Sequence, residues 1–117
     1  MLCHLGDTSA QILRSRPRPV PLAVRPRRVV KLLGLWLPMP WPRGLRTSAF
    51  RDPRLEGTQP SDFAADRLRV LEGLVGVATA DADALDNAHG IFGTMTVRDW
   101  QRYTYRHTDY HLRQFGL

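Results

Sequence analysis

Residues 96–116 read TVRDWQRYTYRHTDYHLRQFG and predict the best defined helix of the chain. Thr96 followed three residues later by Asp99 is the pattern of a capping box, and Gly116 is the residue type that commonly ends a helix. Residues recurring at intervals of three and four predict the face that packs against the core: Met95, Trp100, Tyr103, Thr104, His107, His111, Gln114 and Phe115. This last helix should therefore bury an aromatic face that carries two histidines.

The two histidines of that face have the spacing of a metal-ligand pair. Side chains four residues apart on a helix lie about 5–6 Å from each other, so His107 and His111 can reach one metal ion. The spacing also arises by chance, but a buried imidazole needs a partner because burying an unpaired polar group costs a few kcal/mol. A third ligand would be His4 or His89, and a position on a rigid helix slightly favours His4.

Three more helices are predicted upstream of the last one. Apolar spacing predicts a helix over residues 2–13, with no capping residue before it, and prolines at 17, 19 and 21 predict an extended connection over residues 15–25. The helix that precedes the last one is predicted to begin at a cap, Ser61. It carries an apolar stripe: Phe63, Leu68, Leu71, Leu74, Val75 and Ala78. Residues 43–60 and 81–87 are predicted to be loops. With no strand-like alternation, the fold class expected is all-α, an up-and-down helical bundle in a single domain over residues 1–117.

Between the helix predicted over residues 2–13 and the one that begins at Ser61, Pro26 predicts the start of a short amphipathic helix near residues 27–37. Apolar residues almost encircle it, so it either packs under the domain or lies in a membrane interface, where Arg27, Arg28 and Lys31 would face the lipid headgroups. Packing is favoured, because Trp41 and the prolines continue the apolar surface beyond the helix.

Composition limits the compartment and the partners. Residues 1–60 hold eleven Lys or Arg against three Asp or Glu, whereas residues 61–117 hold six against eight. Such asymmetry can indicate nucleic acid, but the arginines alternate with prolines and outnumber lysine sixteen to one, as a codon bias would also produce, so no nucleic-acid partner is expected. The single cysteine, Cys3, excludes a thiolate cluster and favours a cytoplasmic location. The longest apolar stretch, residues 29–37, is far below the roughly 20 residues of a transmembrane helix.

Three blocks of the sequence resemble a known family: MLCHLGD at residues 1–7, PRRVVKLLGLWLPMPWPRG at 26–44, and HGIFGTMTVRDWQRYTYRHTDYHLRQFG at 89–116. They are similar to the DinB-like (YfiT-like) metal-binding four-helix bundles, in a branch described only as a domain of unknown function. The resemblance covers nearly the whole chain. It implies that a histidine of the second bundle helix and an HxxxH pair of the fourth bind a divalent metal, which here are His4, His107 and His111.

The same resemblance implies two departures from the family pattern. Gly90 replaces the proline that follows the histidine of the turn before the last helix, and His89 is expected to be a turn residue near the site. The chain also begins within what would be the second helix, so the first helix is missing. Either the start at Met1 is misassigned or a truncated bundle covers its exposed stripe with a partner, and both readings explain the missing cap.

The expected function follows from the metal site. Zinc is the expected metal, with nickel, iron or manganese as alternatives, since imidazole suits several of these ions. Three histidines leave a coordination position open, and the resemblance implies a metal-dependent hydrolase or a thiol-dependent transferase acting on a small-molecule or thiol substrate. Asp7 is a candidate acceptor that would orient His4 or a neighbouring residue. The alternatives are a non-catalytic module that forms a homodimer through its uncovered stripe, and contact of residues 14–31 with an anionic membrane surface.

Overall fold

The computed structural model describes residues 1–18, 21, 25–44 and 48–117 of the chain. The helices are α1 (Leu2–Ile12), α2 (Arg27–Lys31, continued by a π-helical turn, Leu32–Trp36), α3 (Phe63–Thr79) and α4 (Val97–Gln114). Single 3-10 turns occur at Ala49–Arg51 and Ala82–Ala84. The chain is therefore mostly helical, as predicted. None of the described helices combines the length and the apolar composition needed to cross a membrane.

The structure adds a small sheet to the predicted all-α fold. Strands β1 (Ala88–His89) and β2 (Gly93–Thr94) pair antiparallel, with Ala88 opposite Thr94. Strands of two residues show no alternation in the sequence, which is why the pattern did not predict them. The hairpin ends two residues before α4 begins and sets the point from which α4 crosses the core.

The ends of the helices agree closely with their predicted capping residues. At the start of α4, the Thr96 hydroxyl accepts from the Asp99 amide and the Asp99 carboxylate accepts from the Thr96 amide, so the capping box is confirmed. Gly116 has a φ of 76°, as expected of a helix stop. The cap of α3 is Asp62, whose side chain accepts from the Ala65 amide, and the prediction of Ser61 was wrong by one residue.

Two predicted segments fall partly outside the described residues. The extended connection predicted over residues 15–25 includes residues 19–20 and 22–24, which are not described, and the loop over 43–60 includes residues 45–47. In the described part of that loop, the 3-10 turn Ala49–Arg51 packs against α1. This turn brings residue 51 next to the first helix.

The core lies between α4, the end of α1, the π-helical turn and the hairpin. Trp100 and Tyr103 of α4 are buried, as their positions in the predicted stripe require. Phe115 and Gln114 of the same stripe are exposed, because they lie in the last turn of α4 and just beyond it, past the packed elements. The buried apolar cluster consists of Ile12, Leu35, Val77, Leu85, Phe92, Met95, Trp100 and Tyr103.

The short helix α2 packs on the domain on one side only. Leu35 is buried and Val30 and Trp36 pack on the core, which agrees with the packing prediction, while Val29, Leu32, Leu33 and Leu37 remain exposed. The only lysine of the chain, Lys31, holds α2 in place by donating to Asp99 and to the Thr94 carbonyl, each at 2.8 Å.

Two arginines of α4 also secure this segment. Arg102 donates to the Leu35 carbonyl at 2.9 Å, and Arg106 donates to the carbonyls of Leu37 and Met39. Their contacts are with the irregular end of the π-helical turn, whose carbonyls lack helical partners.

The apolar stripe predicted on α3 faces outward. Leu68, Leu71 and Val75 are 55%, 43% and 62% exposed, respectively. The residues that α3 buries are Asp66, Val70 and Val77, on the opposite side of the helix. The described chain therefore leaves one apolar helix face uncovered.

Helix α1 is held to α3 by a close backbone approach at Gly73. A Cβ at Gly73 would lie 2.6 Å from Ser9 Cβ, whereas a Cβ at Gly76 would meet the flexible end of Leu13 at 3.0 Å. Gly73→Ala should therefore destabilise the fold by about 1–3 kcal/mol, since the clash outweighs the gain in helix propensity. Urea unfolding measures this difference in the free energy of unfolding.

Gly76→Ala is the matched control for that substitution, because it carries the same propensity gain of up to about 1 kcal/mol without the rigid clash. We expect it to be neutral or stabilising, and we expect Ser9→Gly to restore stability to Gly73→Ala. Equal effects of the two glycine substitutions would contradict the close-approach explanation.

Candidate metal centre

The structure brings together the three histidines that the sequence nominated. His4 comes from the first turn of α1, and His107 and His111 come from adjacent turns of α4. His107 Nε2 lies 3.1 Å from His4 Nε2 and 3.2 Å from His111 Nε2. One ligand atom from each of the three residues lies within 4.8 Å of the others. The three side chains could therefore hold one metal ion.

The nitrogen separations fit a tetrahedral ion. Zinc bonded to imidazole nitrogens at about 2.0–2.1 Å in tetrahedral geometry places those nitrogens about 3.3–3.4 Å apart. The two separations at His107 are 3.1 and 3.2 Å, close to that value. Converging nitrogens at this distance are what a shared cation requires.

Hydrogen bonds at the far side of two rings orient the lone pairs inward. His4 Nδ1 lies 3.2 Å from the Arg51 carbonyl oxygen, which can only accept, so we assign the hydrogen to Nδ1 and the lone pair to Nε2. His111 Nδ1 lies 3.2 Å from Gln114 Oε1, and the same assignment follows. Outer partners of this kind fix the tautomer and ring direction of metal-binding histidines.

Burial favours the neutral form of all three rings. Burial lowers the pKa of His4 to about 4, against a smaller opposing effect of the hydrogen bond to Arg51. Burial, followed by the charges of His4 and His111, lowers the pKa of His107 well below its ordinary value, and burial also lowers the pKa of His111. Neutral imidazole is the form that donates to a metal.

His89 lies near the cluster but does not join it. Its Nδ1 accepts from the backbone amides of Ile91 at 3.1 Å and Phe92 at 3.4 Å, which closes the turn between β1 and β2. With Nδ1 occupied as an acceptor, the ring hydrogen sits on Nε2, which then has no lone pair for a metal. The structure thus places His89 in the turn, as the sequence predicts.

Asp7 does not orient a histidine, contrary to the expectation from sequence. Its buried carboxylate accepts from the Thr58 amide at 2.8 Å and the Thr58 hydroxyl at 2.6 Å, and it forms an ion pair with Arg16 at 3.4 Å. Asp7 lies on the side of α1 that meets the loop before α3. It therefore anchors that loop and takes no part in the metal centre.

Two residues that contact the histidines were not identified from sequence. Gln114 lies three residues after His111 on the same helix, so its position within reach was readable from the pattern, although its role was assigned to packing. The Arg51 carbonyl reaches His4 across 47 residues of chain, and no local pattern predicts a contact of that range.

The three histidines open onto a cavity of about 440 Å³. The size lies within the range of small-molecule sites. The polar residues that line it are His4, Ser48, Arg51, His89, His107 and His111, and no carboxylate is among the described lining residues. The remaining walls are apolar or aromatic: Val30, Leu33, Gly34, Met39, Pro40, Trp41, Pro42, Ile91, Phe92, Tyr103 and Tyr110.

Stability at acidic pH is expected to depend on His89. Burial, assisted by the charge of Arg51, lowers the pKa of His89 from 6.5 to about 3. Between these two pH values the unfolded chain therefore binds a proton at His89 that the folded chain does not bind. The contribution of the neutral His89 ring to the free energy of unfolding is complete above pH 6.5 and is lost as the pH falls towards 3. Between about pH 7 and pH 5 the loss from this one group should be about 2 kcal/mol.

Urea unfolding of the metal-free protein at the two pH values tests this expectation. His89→Asn retains an acceptor for the Ile91 amide but has no titrating ring, so its stability should fall less between the two pH values. An unchanged pH dependence in His89→Asn would contradict the assignment.

Comparison of the sequence with protein-family models and with curated proteins, and of the structure with solved structures, finds no match. The case for a function is therefore carried by the geometry of the histidines and of the cavity beside them.

Proposed function

We propose that the chain is a DinB-like metal-binding protein that holds a divalent ion, zinc in the first instance, through His4, His107 and His111. The observation that carries the proposal is the convergence of three Nε2 atoms, two of them on rings oriented by an acceptor at Nδ1. Nickel, iron and manganese are the alternative ions; imidazole ligands suit nickel and iron as well as zinc, whereas manganese prefers oxygen ligands.

The number of ligands supports a catalytic use of the metal. Structural zinc sites have four protein ligands, whereas catalytic sites have three and leave a position for water or substrate. A zinc ion bound here would act as a Lewis acid and lower the pKa of a coordinated water or thiol. The open position would face the cavity, whose aromatic walls include Trp41 and Tyr103.

In the part of the lining that the structure describes, no residue would act as a general base. General-base hydrolysis needs a residue that accepts a proton from water, and no carboxylate lies among the described lining residues. His89 offers no free acceptor, because its Nδ1 is held by two backbone amides. A water or a thiol that loses its proton on binding the metal needs no such base, so thiol transfer and metal-activated hydrolysis are both compatible with the lining.

Cobalt substitution of untagged protein tests the proposal, because Co²⁺ bound by three histidines absorbs visible light and reports its other ligands. We expect about one Co²⁺ per chain, bound competitively with Zn²⁺, and a changed spectrum when a small thiol such as 2-mercaptoethanol is added. Failure of the protein to bind either ion would overturn the metal site. A spectrum that the thiol leaves unchanged would overturn the open position.

The exposed face of α3 favours a second candidate, a homodimer module. Leu68, Leu71 and Val75 follow the spacing of a two-helix seam, and Arg67 and Glu72 flank it at positions that pair across parallel helices. Light scattering after size exclusion tests this candidate. A monomer at high protein concentration, or a dimer that survives Leu71→Glu, would contradict it.

A further inference from the structure

An arginine, Arg51, lies in the wall of the cavity. Arg51 donates from Nε to the Ser48 hydroxyl at 3.2 Å and makes a longer contact from Nη1 to the Thr8 hydroxyl at 3.5 Å. Among the described residues, no carboxylate forms an ion pair with it. Hydroxyl groups hold the guanidinium in place, but they do not neutralise its charge.

Arg51 lies at the polar end of the cavity. It lines the cavity together with His4, His89, His107 and His111, and its carbonyl oxygen lies 3.2 Å from His4 Nδ1. His89 adds a neutral donor there, since its Nε2 hydrogen has no partner among the described residues. Together with a bound divalent ion, this end of the cavity would carry positive charge, and Arg51 and His89 would add hydrogen-bond donors.

The other walls suit an apolar body. Leu33, Ile91 and Phe92 line one part of the cavity, and Trp41 lies between Phe92 and the histidines, with its ring centroid 6.5 Å from that of Phe92 and 6.3 Å from that of His107. A ligand that fills a cavity of about 440 Å³ would therefore contact aromatic and aliphatic groups over most of its surface.

We infer that the cavity binds a hydrophobic carboxylic acid, with the carboxylate between the three-histidine metal site and Arg51 and an aryl or alkyl body along Trp41 and Phe92. The inference rests on the proposed function and names its second substrate, the one that is not a thiol. A guanidinium matches the planar carboxylate in geometry as well as in charge.

Isothermal titration of the zinc-loaded protein with 4-phenylbutyrate and with its uncharged amide, 4-phenylbutyramide, tests the inference. The two probes share a body and differ in the headgroup. We expect the acid to bind at least about tenfold more tightly than the amide, and Arg51→Gln to weaken the acid about tenfold while leaving the amide unchanged. Arg51→Lys, which retains the charge, should recover part of the loss.

The controls separate this inference from the proposed function. Both substitutions of Arg51 keep the backbone carbonyl that orients His4, so the zinc content of these variants should remain that of the wild type. If Arg51→Gln loses zinc, Arg51→Lys replaces it in the comparison. Arg54→Gln removes an exposed arginine already paired with Asp52 at 3.0 Å and should change nothing. A wild-type protein without zinc overturns the proposed function and the inference with it. Bound zinc with equal affinity for acid and amide, or an equal loss in Arg54→Gln, overturns the inference alone.

Discussion

Replacing His107 with alanine is expected to reduce the zinc content from about one ion per chain to background. His107 Nε2 is the atom that both other ligands approach, at 3.1 and 3.2 Å, so its loss leaves two nitrogens with no common neighbour. Two imidazoles on different helices would hold the ion far more weakly than three. Elemental analysis of untagged protein, followed by competition with a chromophoric chelator, measures the stoichiometry and the affinity.

His89→Asn is the matched control for this loss. His89 and His107 are both 8% exposed, so the two substitutions disturb the interior to a comparable degree. Only His107 offers a lone pair to the ion, and His89→Asn should therefore retain the full zinc content. Equal zinc losses in the two variants would indicate that a general disturbance of the protein interior causes the effect. A His107→Ala protein that still binds zinc would contradict the ligand assignment.

Removing the metal is expected to lower the melting temperature by on the order of 15 °C when the comparison is made at a free zinc concentration of about a thousand times Kd. An ion that binds the folded state alone stabilises it by about 4 kcal/mol under that condition. The effect should be large for this fold because the ion would join α1 to α4, which share few other contacts near the chain start. Differential scanning calorimetry with zinc and with chelator measures it.

A different metal ion and the His107→Ala variant are the controls for this shift in melting temperature. Mg²⁺ prefers oxygen ligands and keeps its water, so it should not raise the melting temperature. His107→Ala should melt at the same temperature with zinc and with chelator. A shift of equal size with Mg²⁺, or in the variant, would indicate non-specific binding at the surface.

Sequence periodicity was most reliable where one face of a helix is buried along its length. The capping box at Thr96, the stop at Gly116 and the burial of Trp100, Tyr103 and His107 all follow from local pattern. The same rule failed at the end of the stripe, where Phe115 has nothing to pack against. It also said nothing of which neighbour would cover the stripe of α3, because an apolar face indicates that burial is favourable and leaves the partner unspecified.

Contacts of long range were beyond the reach of local pattern. Arg51 meets His4 over 47 residues, and Arg102 meets the Leu35 carbonyl over 67. The sequence of α4 alone does not show what Arg102 and Arg106 contact, because the carbonyls that they satisfy belong to another element. Asp7 was misassigned for the same reason, since its partners Arg16 and Thr58 lie outside its own helix.

The sequence by itself determined that His107 and His111 share a helix face, because a spacing of four residues fixes their relative direction in any α-helix. It also nominated His4. Only the tertiary structure shows that His4, and not His89, lies together with His107 and His111 in a group that could hold a metal ion, although both histidines line the same cavity. The Arg51 carbonyl turns the Nε2 lone pair of His4 towards the cluster, whereas two backbone amides occupy Nδ1 of His89 and leave a hydrogen on its Nε2.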